Sequence, residues 1–96
     1  MLLLSKFRVF GHSMEPGITN NGTVFASGIP YLFKKPGVND IVVFKDKDKK
    51  VLIKRIIKKS EDKYFVQGDN KNDSLDSRQL GNISKQQIIG KVIYKL

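Results

Sequence analysis

The sequence predicts a mainly β fold in one compact domain spanning residues 1–96, on three observations. The apolar runs are short and rich in valine and isoleucine, the composition that suits a pleated, half-buried surface. Turn residues separate them, and no segment sustains a helical period. A chain of 96 residues also has too little length to bury a second core.

The elements follow in order. "KFRVFG" alternates apolar and polar residues, as a strand with one buried face does. "GTVFASG", "NDIVVFKD", "KKVLIKRIIKK", "DKYFVQGD" and "QQIIGKVIYKL" bring the count to about six strands. One short helical turn at most is expected, at "SKQQI", capped by Ser84. The breaks are "NNG" at Asn20–Gly22, "PGVND" at Pro36–Asp40, and the long polar loop "GDNKNDSLDSRQLGN" from Gly68 to Asn82. A loop of that length is uncommon in a compact domain unless it has a function.

Composition removes several kinds of chemistry. The chain has no cysteine, so disulfides, thiolate catalysis and cysteine-based zinc sites are excluded. With a single histidine and few acids, no metal and no other cofactor is expected. The net charge of +9 comes from lysines at 34–35, 45–50 and 58–63. Such runs are ordinarily solvated surface; beyond that, they suit a peripheral contact with an anionic membrane. Nucleic acid is not expected as a partner, because the three arginines (Arg8, Arg55, Arg78) are not interleaved with aromatics and no base-reading motif is present. The apolar run "MLLL" stops at Leu4, too short for a membrane span or the core of a signal peptide, so the chain is expected to be soluble or at most peripheral.

"GHSMEP" places Ser13 beside the only histidine, His12. A serine hydroxyl is a weak nucleophile until a base takes its proton. His12 is a poor candidate, since adjacent residues of an extended chain point to opposite faces. A lysine can serve if it is neutral when it acts. With an ordinary pKa of about 10.4, reaching that state near pH 7 to 8 requires destabilising its ammonium by about 4 kcal/mol, which burial can supply. Lys54 in "VLIKRII" is the lysine placed for this, sharing a strand face with Leu52 and Ile56 while Arg55 shares the other with Ile53 and Ile57. Taken singly, Lys54 reads rather as an outward edge lysine and Ser13 as a turn hydroxyl.

Taken in order, "GHSMEP", "DIVVF", "IKRI" and "GDNKNDSLDSRQLG" resemble the type I signal peptidase family of Ser/Lys-dyad serine proteases. The resemblance runs from Val9 to about Ile93 and extends to the short mitochondrial inner-membrane peptidases and the maturation proteases of nickel superoxide dismutase. It implies a signal-peptidase/LexA-like β domain in which Ser13 is the acylating nucleophile and Lys54 its general base. Ser74 matches the serine that holds the lysine, and Asp76 and Arg78 the pair that braces the loop. Gly68, Asp69 and Asn70 match the start of that loop, and Met14 a residue of the substrate groove. The backbone N–H of Ser13 would serve the oxyanion hole; Gly11 stands where some members add a serine hydroxyl. The implied partner is a precursor protein with a cleavable N-terminal segment, cut after a small residue and bound extended.

The chain departs from the family pattern at Gly17, where threonine is usual, and at Asn39, where "NDIV" replaces "GDIV". "IIKKSEDKYF" stands where the family often continues into an inserted subdomain, and the transmembrane anchor is not seen, so a minimal catalytic core is expected. Localisation follows the substrate: membrane-associated at the extracytoplasmic face for signal peptides, cytoplasmic for a soluble precursor. Two other readings rank behind. One is a self-cleaving LexA-like accessory protein, although twelve residues before Ser13 hold no DNA-binding domain or cleavage segment. The other is a non-catalytic basic β domain that binds anionic lipid or nucleic acid.

Overall fold

The computed structural model describes residues 4–70 and 81–96. The chain forms β1 (Ser5–Arg8), β2 (Thr23–Ser27), α1 (Pro30–Phe33), β3 (Ile41–Lys45), β4 (Val51–Ser60), β5 (Lys63–Gln67), β6 (Ile83–Ser84) and β7 (Ile88–Lys95), with a 3₁₀ turn over Lys85–Gln87. The mainly β expectation holds, and each of the six anticipated strands is present. Two elements were not legible: β6 has two residues and α1 four, both too short to carry a period. Pro30 starts α1 with its preset backbone, and Tyr31 is the residue that α1 buries. The 3₁₀ turn lies where "SKQQI" predicts it, and the Ser84 N–H donates to Gln87 Oε1 at 3.0 Å.

All strands belong to one antiparallel sheet in the order β1-β2-β7-β3-β4-β5-β6. The last long strand, β7, therefore separates β2 from β3, which are consecutive along the chain. Register shifts at Phe25/Ala26, Val43/Phe44 and Ile56/Lys58 bend the ladders. At Gly90 in β7 the backbone of Ser27 comes so close that a Cβ would lie 2.9 Å from its carbonyl carbon and oxygen. Glycine is what permits β7 to pack there.

Strand alternation separates two apolar clusters. Tyr31, Val42, Phe44, Ile56, Tyr64, Val66 and Ile83 form one; Val9, Met14, Ile18 and Val24 form the other, joined by Phe7, Ile41, Ile53 and Val92. Their burial is the main stabilising term of the fold. The chain on either side of Ser13 therefore enters the second cluster, through Val9 before it and Met14 and Ile18 after it.

Asp40 ties α1 to the sheet. Tyr31 Oη donates to its Oδ2 at 2.7 Å, the Gly37 N–H donates to the same oxygen at 3.1 Å, and Lys91 Nζ on β7 lies 3.6 Å from Oδ1. Burial alone would raise the Asp40 carboxyl; the hydrogen bonds from Tyr31 and Gly37 and the charge of Lys91 outweigh it and hold the group below the usual range. The resulting stabilisation is complete above the ordinary aspartate value of about 3.9 and is lost as pH falls through the lower folded value. Urea unfolding of wild type and Asp40→Asn at pH 7, 4 and 2.5 should show wild type more stable at pH 7 and 4, with the gap shrinking at 2.5. An equal gap at every pH would mean that the carboxylate charge contributes nothing.

Candidate active site

Ser13 lies in a turn that follows β1, and this differs from the extended chain assumed in setting His12 aside. His12 is nonetheless directed elsewhere: its Nδ1 meets Glu15 Oε2 at 2.9 Å on the exposed side of the turn. The hydrogen bond from His12, followed by that from the Asn20 N–H, holds the Glu15 carboxyl below the usual range. Glu15 thus does the work that strand alternation was expected to do.

The turn is held from several sides. Met14 is 1% exposed and anchors the backbone in the second cluster. Its carbonyl accepts the Ile18 N–H at 3.0 Å. The Gly11 N–H donates to Asn20 Oδ1 at 2.7 Å, and Gly11 itself has φ 99°, which glycine adopts without strain. Gly17 gives its carbonyl to Lys95 Nζ at 2.7 Å, so the last strand pins the far end of the turn.

Among the described residues, Ser13 is tied to Asn70, 57 positions later in the chain. Its backbone N–H donates to the Ser13 carbonyl at 2.8 Å, and its Nδ2 to the His12 carbonyl at 3.1 Å. Two carbonyls flanking the serine Cα are thereby fixed by one residue of the long polar loop. Asp69 meets Arg55 through a two-point fork, Nε to Oδ1 at 2.8 Å and Nη2 to Oδ2 at 2.9 Å. Arg55 Nη1 also donates to the Asn39 carbonyl at 3.0 Å, and the Asp69 fork raises the Arg55 guanidinium further above its ordinary value. Asn39 has φ 79°, a left-handed conformation that glycine and asparagine adopt more readily than other residues, so either residue suits this position. Gly68 is buried. Ser74, Asp76 and Arg78 lie outside the described residues.

Lys54 is 4% exposed, the one buried charged side chain among the described residues. On β4 it pairs with Val42 of β3 and falls by alternation on the side of Leu52 and Ile56, as its sequence context predicts. Burial of this kind disfavours an ammonium and favours a neutral amine.

Ser13 and Lys54 line the same cavity, of about 140 Å³. Its walls are largely apolar, with Phe7 and Val9 from β1 and its continuation, Met14 from the turn, and Leu52 and Ile53 from β4. Phe10 and Val51, both exposed, stand at the cavity as well. Of these walls, sequence reasoning had named only Met14, through the resemblance, as a groove residue. The i, i+2 pair Phe7 and Val9 in "KFRVFG" was the one local signal; the contribution of β4 depends on how the sheet curls.

The domain is thus mainly β and sets a serine and a buried lysine at one largely apolar cavity. A family model described as "Signal peptidase, peptidase S26" matches residues 1–60 and 58–96, and the chain belongs to this peptidase family. A stretch of 32 residues is 53% identical to a protein named Signal peptidase I from Buchnera aphidicola subsp. Baizongia pistaciae (strain Bp). That stretch is 33% of this chain and covers 10% of the relative's length. Among the described residues no helix is long and apolar enough to cross a membrane.

Proposed function

We propose that this chain is a serine endopeptidase that removes an N-terminal signal or pro-segment from a precursor protein, cutting after a small residue. The observation that carries the reading is that Ser13 and the buried Lys54 share one apolar cavity. Neutral Lys54 takes the proton of Ser13 Oγ as the oxygen attacks the scissile carbonyl carbon. The tetrahedral oxyanion is held by the Ser13 backbone N–H. Collapse of the intermediate breaks the C–N bond, the Lys54 ammonium gives its proton to the leaving amine, and an acyl-enzyme remains on Ser13. Water then attacks the ester, with Lys54 again accepting the proton, and the acid product leaves.

A cavity of about 140 Å³ with apolar walls suits a small side chain and crowds a large one. An extended substrate would present alternate side chains to it. In this mechanism the ammonium form of Lys54 is inactive, so the rate rises with pH as Lys54 loses its proton. A rate that does not change from acid to mildly alkaline pH would argue against a lysine base.

The test is mass-spectrometric analysis of a signal-peptide-like substrate containing Ala-x-Ala, in detergent, with wild type and Ser13→Ala. Cleavage after the second alanine by wild type alone is expected. Equal cleavage by Ser13→Ala would rule out the serine mechanism.

A further inference from the structure

We propose that the tip of α1 is a membrane-docking element, in which Leu32 and Phe33 enter the interface of an anionic bilayer while Lys34, Lys35 and Lys85 meet its headgroups. The inference does not depend on the proposed catalysis. Leu32 and Phe33 are 61% and 84% exposed although they follow directly on Tyr31, which is buried and hydrogen-bonded to Asp40. Because Tyr31 faces inward and is tied there, successive residues of a helical turn are carried round to solvent. The two apolar side chains therefore project from a fixed support.

Single exposed apolar residues are ordinary; here two adjacent ones, both mostly exposed, stand together on a braced tip. What surrounds this patch selects the partner. Lys34 and Lys35 follow it in sequence, and Lys85 joins Leu32 at a shallow cavity beside β7. Lys35 also meets Asp62 at 3.6 Å, but both side chains are well exposed, so this pair competes weakly with a lipid phosphate. A Leu-Phe tip flanked in sequence by Lys34 and Lys35 and with Lys85 beside Leu32, on a chain of net charge +9, complements a surface that is apolar beneath and anionic above. Long lysine stems let the ammonium groups stay at the headgroup level while neighbouring apolar side chains lie deeper. The lining of the Ser13 cavity includes no α1 residue, so the docking element can be altered without touching the proposed catalytic groups.

Co-sedimentation with vesicles of phosphatidylcholine alone or mixed with phosphatidylglycerol tests the proposal. Wild type should bind the mixed vesicles and only weakly the neutral ones. Leu32→Ser/Phe33→Ser should bind them at least about tenfold more weakly. Lys34→Glu/Lys35→Glu should also lose at least about tenfold, since each lysine near an anionic surface is worth roughly fivefold. The equal charge change Lys47→Glu/Lys49→Glu, in the turn between β3 and β4, should cost distinctly less. Because the chain has no tryptophan, Phe33→Trp supplies a direct reporter whose emission should shift to the blue on mixed vesicles. Equal losses from the two lysine pairs, unchanged binding by Leu32→Ser/Phe33→Ser, or an unshifted emission from Phe33→Trp while the protein sediments would each overturn the proposal. So would binding to an oligonucleotide with none to vesicles, which would assign the lysines to nucleic acid.

Discussion

Lys54→Met is expected to reduce substrate cleavage by about 10²- to 10⁴-fold, the usual contribution of a positioned general base, while the protein stays folded. The two expectations together give the test its force. Lys54 is 4% exposed, so its burial carries a desolvation cost that methionine, of similar length, does not have. Methionine can occupy the side of β4 that Leu52 and Ile56 share. Removal of the buried amine therefore offsets much of what is lost with its interactions, and the melting temperature should stay within several degrees of wild type. Steady-state cleavage and thermal unfolding, measured on the same preparations, check both expectations. Cleavage within threefold of wild type would mean that Lys54 is a structural lysine and that another group activates Ser13.

Asn70→Ala is expected to lower kcat by about 10- to 100-fold with KM nearly unchanged, because a small displacement of a reacting group is costly to rate. The variant keeps the backbone N–H that donates to the Ser13 carbonyl and loses the Nδ2 donor to the His12 carbonyl. That carbonyl also accepts the Glu15 N–H at 3.2 Å, so it is not left unsatisfied, and the cost in stability should be about 1 kcal/mol. Asn70→Asp should be slower still, since a carboxylate oxygen cannot donate and would face a carbonyl oxygen. Separate determination of kcat and KM distinguishes the roles. A rise in KM at constant kcat would place Asn70 in substrate binding instead of in positioning Ser13.

Strand content was legible wherever a run exceeded four or five residues. "NDIVVFKD" and "KKVLIKRIIKK" carry enough Val and Ile in alternation to be read locally, and they became β3 and β4. β6 and α1 were not legible, because two and four residues complete about one strand repeat or one helical turn, and no periodicity can recur over so short a run. The burial of Lys54 could be anticipated from Leu52 and Ile56 on either side of it. The disposition of His12 was reached by a different route from the one assumed, through Glu15 three residues on in a turn and not through alternation in a strand.

The sequence by itself determined the mainly β class, the order of the six longer strands along the chain, and which lysine stands among apolar neighbours. These depend on patterns within a few residues, which a chain expresses wherever it is. Only the tertiary structure decided that β7 lies between β2 and β3, that Asn70 reaches back to the His12 and Ser13 carbonyls, and that the turn after β1 closes a cavity against β4. Those are pairings across tens of residues. They are selected by which apolar faces can be buried together and by close approaches such as that of Gly90 to Ser27, and local periodicity does not encode them.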